Sequence, residues 1–162
     1  MIDRSNFEYA KQPSGICVLF SFAKAIDALT DHKYDYNQVI KHFCDCIKIQ
    51  PTNDVSHTYL ITHLYPYLLT NGLSGIQCKK LDQPQFEDLR NQDSKCILCL
   101  SFSHGPGKDW HIVNVGYDQC PQNNAESYYI VDPNKDHPVD FDYIMNTYKI
   151  NHFGDCLLFT LS

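Results

Sequence analysis

The hydrophobic period of this chain changes once, near residue 73, and that change limits the folds open to it. Before it, apolar residues recur at intervals of three and four. Leu19, Phe22, Ala23, Ile26 and Leu29 form one stripe on a helix from about Cys17 to Thr30. Val39, Ile40, Phe43 and Ile47 repeat the pattern between Tyr36 and Lys48. A third helix is expected from Val55 to Leu69, kinked or divided at Pro66. After residue 73 the signals are those of short strands: Gly75 to Lys79, Lys95 to Phe102, Trp110 to Tyr117, Ser127 to Asp132 and Asp155 to Leu161. Short helices fit at Gln83 to Arg90 and Phe141 to Tyr148. Helices first and an antiparallel sheet second predict an α+β fold with segregated layers. At 162 residues the chain fits one domain, with a helical lobe over about 1–72, a sheet lobe over about 73–162, and the natural site in the cleft between them.

Composition narrows the function classes. Hydrophobic residues make up 43%, enough for a core and too many for a disordered chain. A net charge of -6 and the lack of a basic stripe beyond Lys79-Lys80 argue against a nucleic-acid partner. No apolar run approaches the roughly 18 residues of a membrane span, and the first residues lack the charged-then-apolar pattern of a secretory signal. The eight cysteines mostly sit inside apolar patterns: Cys44 and Cys46 in a helix, Cys96 and Cys99 in a strand, Cys156 beside Leu157. They read as reduced core thiols of a protein that works in a reducing cytosol. Cys96-x-x-Cys99 has no second ligand pair, and within a strand its thiols point to opposite faces, so neither a metal nor any other cofactor is expected.

Three residues carry the chemistry. Cys17 stands where Gly15 gives way to an apolar helix, and a helix N-terminus favours the thiolate. His111 opens an apolar strand after the loop His104-Gly-Pro-Gly107, so its ring can sit at a sheet rim as general base. Asp132 ends the next strand. If the two strands pair so that Gly116 faces Ser127, Asp132 lies opposite His111 and can fix its tautomer. Each residue also has an ordinary reading: a buried thiol, a surface histidine, a turn signal in Asp132-Pro-Asn134. The order of all three along the chain is what favours chemistry.

That order resembles the papain-like cysteine peptidase superfamily. Gln12-Pro-Ser-Gly-Ile-Cys17 before a helix is similar to its nucleophile segment. Trp110-His111-Ile-Val-Asn-Val-Gly-Tyr-Asp118 and Tyr129-Ile-Val-Asp-Pro133 resemble the His and Asp segments of bacteriocin-exporter peptidase domains. Gly15-Ile-Cys17 with Leu19 and Ser21, and Asp132-Pro-Asn134, resemble YopT-type bacterial effector proteases. The resemblance implies a papain-like fold, with the nucleophile helix packed on the sheet, and the catalytic residues Cys17, His111 and Asp132. It also implies that Gln12 helps hold the oxyanion, although four residues separate it from Cys17, one fewer than usual. The expected activity is hydrolysis of a peptide or isopeptide bond in a protein substrate by a bacterial effector or toxin. A glutamine deamidase or acyltransferase would use the same thioester, and an inactive papain-like binding module is the alternative outside enzymes.

Overall fold

The structure is a computed structural model that describes residues 1–12, 16–51, 55–73, 75–81, 86–90 and 94–161. Three helices come first: α1 (Cys17–Leu29), α2 (Tyr36–Ile47) and α3 (His57–Thr70). Strands β1 (Ile76–Leu81), β2 (Lys95–His104), β3 (Asp109–Gln119) and β4 (Glu126–Val131) follow, then a short helix α4 (Phe141–Thr147) and the long strand β5 (Ile150–Leu161). The five strands form one antiparallel sheet in the order β1-β5-β2-β3-β4. The fold is therefore α+β, helices N-terminal and sheet C-terminal, as the periodicity predicts. No helix among the described residues is long and apolar enough to cross a membrane.

Several expected boundaries move. Pro66 sits inside α3 without dividing it. The first strand begins one residue later than expected and runs to Leu81. The last begins at Ile150 rather than Asp155. The helix expected over residues 83–90 is a 3-10 turn at Phe86–Arg90, its first three residues lying outside the described ones. A second 3-10 turn, Arg4–Asn6, precedes the helices.

Alternation along the strands divides the core in two. Ile97, Cys99, Ile112, Tyr129, Val131, Leu157 and Phe159 face the helices. Leu98, Leu100, Phe102, Val113, Val115, Ile130 and Leu158 face α4 and the 3-10 turn at Phe86. α1 does not present one stripe, as its period suggested; it is buried all round from Leu19 to Leu29. Even Lys24 is buried, its ammonium 4.5 Å from the Tyr36 ring centre. All eight cysteines are thiols rather than disulfides, and Cys44, Cys96, Cys99 and Cys156 are buried.

The pairing of β3 with β4 corrects the expected register. Gly116 lies opposite Tyr129, not Ser127, and the strands extend to Gln119 and Glu126 around a shorter loop. Tyr129 explains the shift. Its ring covers Gly116 so closely that a Cβ there would stand 2.3 Å from Cζ. The ring is fully buried and its hydroxyl donates to the Ile2 carbonyl at 2.7 Å. Only glycine fits beneath it, so the Gly–Tyr pair locks the ladder.

Candidate active site

The register shift moves Asp132 by two residues along the ladder, which keeps it on the same face. Asp132 follows the last residue of β4 and sits diagonal to His111, not opposite it. The contact survives: Asp132 Oδ1 and His111 Nε2 are 2.8 Å apart, with the residues 1% and 6% exposed. Burial alone would raise the Asp132 carboxyl. Hydrogen bonds from His111, the Asn134 N–H and Tyr148, with the charge of His111, hold it below the ordinary range instead. An ionised carboxylate only accepts, so the Nε2 that faces it is the donor of this bond.

Tyr148, which follows α4, completes this arrangement and went unnoticed in the sequence. Its hydroxyl donates to Asp132 Oδ2 at 2.7 Å, and its ring stacks on His111 at 5.0 Å and 27°. Phe102 meets the imidazole edge-on at 5.6 Å and the Tyr148 ring at 5.3 Å, so the three rings form one cluster. Burial, then the neighbouring carboxylate, raises the Tyr148 phenol, so it stays a donor. Sixteen residues separate it from Asp132, and no motif joins them in sequence; only the route of the chain from α4 into β5 brings them together.

The other acids and amides are engaged elsewhere or in support. Asp118 binds Arg4, whose Nε donates to it at 2.9 Å. Asn114 donates to the Ser21 carbonyl of α1 at 3.0 Å. Asn134 bridges: its amide donates to the Tyr148 hydroxyl at 3.2 Å and its Oδ1 accepts from Gln12 Nε2 at 3.2 Å. The Gln12 backbone N–H also donates to the Pro133 carbonyl at 2.8 Å. A continuous line of hydrogen bonds thus runs from Gln12 through Asn134, Tyr148 and Asp132 to His111.

Cys17 is the first residue of α1 and is half-buried against the helical core. Two contacts fix the direction of its helix across the sheet. Near the middle, Ser21 meets Asn114; just past the far end, Asp31 pairs with Lys95 at the start of β2, at 2.8 Å. Cys17 lies about 6 Å from Ser21 along the helix, and His111 about 10 Å from Asn114 along β3. Both steps lead toward the same end of the sheet, where Gln12 is tied to the loop after β4; His111, paired with Phe102, points to the α4 face, whereas Cys17 packs on the helical face. Hydrogen bonds thus join Gln12, His111 and Asp132.

The start of α1 is itself unusual. Asp35, Ser56 and Asp140 cap the other α-helices with side-chain hydrogen bonds. At α1 the N-cap is Ile16, which makes none, and the first turn holds no acidic residue. An isoleucine is among the poorest N-caps. The positive end of a helix dipole suits a thiolate or an oxyanion.

No known protein family has a model that matches the chain, and no curated protein matches it. Among solved structures it is similar to the Pseudomonas avirulence protein AvrPphB, with a TM-score of 0.40 and 12% identity over 99% of this chain and 100% of that one.

Proposed function

We propose that the chain is a papain-like thiol hydrolase that cleaves a peptide or isopeptide bond in a protein substrate. The observation that carries this reading is the buried His111–Asp132 hydrogen bond at the end of the sheet toward which the uncapped end of α1 runs. In the proposed cycle His111 Nδ1 takes the Cys17 proton and the thiolate attacks the substrate carbonyl. The oxyanion is held by the Cys17 N–H, with the Gln12 amide as second donor. The imidazolium then protonates the leaving amine, which departs and leaves a thioester. Water attacks that thioester, giving its proton to His111, and the acid product leaves as the thiol re-forms. Asp132 stays ionised throughout and stabilises the imidazolium. The acidic chain and its unbridged thiols fit work in a reducing cytosol, including that of a cell into which an effector is delivered.

The test is a cleavage survey. Native protein and Cys17→Ala are each incubated with a cell lysate, and new protein N-termini are labelled and sequenced. Native protein should create a set of new termini that the variant does not. Glutamine-to-glutamate conversion without new termini would instead identify a deamidase. No Cys17-dependent change of either kind would leave the fold as a binding module.

A further inference from the structure

Trp110 is the single tryptophan of the chain and is 56% exposed, immediately before His111. It pairs with Ser103, one step outward from the Ser101–Ile112 pair, and so lies on the face against which α1 packs. Ile112 is in the core beneath that helix, and Cys17 packs on the same core. Trp110 is therefore the next residue outward from Ile112 on that face, toward the end of the sheet to which the N-terminus of α1 is directed, while His111 between them points to the other face. Its place is built rather than incidental. A Cβ on Gly154 would stand 2.6 Å from the indole, so β5 carries a glycine where the ring lies against it. His152 braces the ring edge-on at 5.4 Å and 81°, and its Nδ1 is 3.3 Å from the Ser103 hydroxyl.

A large apolar surface held in place and left in water is suited to binding, because its ordering is complete before the ligand arrives. We propose that Trp110 is the wall of a substrate subsite that takes a flat apolar side chain, aromatic above all, from a residue flanking the scissile bond. This rests on Cys17 being the nucleophile. Aromatic side chains stack on an indole and gain beyond the apolar area they bury, which favours them over other flat groups.

Two measurements test it. The first compares the rates at which N-acetylphenylalanyl and N-acetylalanyl chloromethyl ketones alkylate Cys17, read by mass spectrometry as a ratio. Covering one face of an aromatic side chain should favour the phenylalanyl reagent about tenfold. The ratio should fall to about one in Trp110→Ala, persist in Trp110→Phe, and drop in Gly154→Ala, which unseats the indole. A ratio near one in the native protein, or an unchanged preference in Trp110→Ala, would overturn the subsite. The second follows emission from the sole tryptophan on adding N-acetylphenylalaninamide or N-acetylglycinamide, and needs no reactive thiol. If iodoacetamide fails to label Cys17, the nucleophile reading falls. A saturating emission change with the aromatic amide alone would still uphold the subsite, and the lack of one would sink it.

Discussion

At the residue scale the question is what separates one thiol from seven others and one carboxylate from its neighbours. Burial pushes the Cys44 thiol up to about 11 and the Cys78 thiol up to about 12, and it carries Cys99 well above its ordinary value. Those three are protonated and slow at neutral pH. Brief, substoichiometric iodoacetamide treatment should therefore modify Cys17 first, and peptide mapping that finds Cys44, Cys78 or Cys120 ahead of it would refute the nucleophile. The carboxylate is decided by contacts. Asp132 touches His111 directly, whereas Asn134 reaches it only through Tyr148 and through its N–H on Asp132 Oδ1, at 3.0 Å. Asp132→Ala should fold yet lose most of its turnover, on the order of a thousandfold or more by analogy with other triads. Asn134→Ala should keep most of its activity, because its backbone donor remains. Steady-state kinetics on both variants, with circular dichroism to verify folding, decides the third member; a dead Asn134→Ala beside an active Asp132→Ala would reassign it.

At the scale of elements, the strands show what a sequence can and cannot tell. Which segments are helix and which are strand was legible, because apolar period follows directly from which face is buried. Register was not, since a two-residue slip leaves every side chain on its own face and the pattern unchanged. That is why Asp132 could be assigned to the right face for His111 and the wrong rung. The information that fixes the rung is the fit of Tyr129 over Gly116, a contact between strands that no local pattern expresses. Tyr148 escaped for a related reason: it reaches the site by tertiary routing alone. The burial of Lys24 and Asp27 was equally hidden, because polar residues within an apolar helix read as its solvent face. The Gly–Tyr lock has a measurable consequence. Tyr129 is enclosed and tied to Ile2, so it cannot yield to a new methyl group. Gly116→Ala should lower unfolding stability by about 3 kcal/mol, read as a lower urea midpoint at unchanged slope. A loss under about 1 kcal/mol would show that the ring can move and that the register is set elsewhere.

For the whole molecule, the first residues of the chain join the two halves. The segment before α1 crosses onto the sheet instead of remaining with the helices. Ile2 accepts from Tyr129, Arg4 grips Asp118 at the far part of β3, and Gln12 bonds the loop beyond β4. A segment with no helical or strand period gives no sequence signal for such a role, although it carries Gln12 to the candidate site. Its strongest tie is the Arg4–Asp118 pair, whose side chains are 18% and 5% exposed. Asp118 also accepts the Arg4 backbone N–H at 2.7 Å, and Arg4 reaches Ser127 Oγ at 3.1 Å. The two ends of this tie are not equivalent. Asp118→Ala strands a guanidinium and a backbone donor together and should cost about 3 kcal/mol. Arg4→Ala leaves Asp118 its backbone donor and should cost less. Because each single variant already loses the shared contact, the double variant should be more stable than simple addition predicts, by about 1–2 kcal/mol. Urea unfolding of the four proteins measures that coupling. Limited proteolysis of Asp118→Ala should cut first within residues 1–12, since the segment has lost its anchor while the sheet and helices keep theirs. Additive energies within about 0.5 kcal/mol, with the N-terminal segment still protected, would show that the tie contributes no coupling and that the segment is held by its apolar contacts alone.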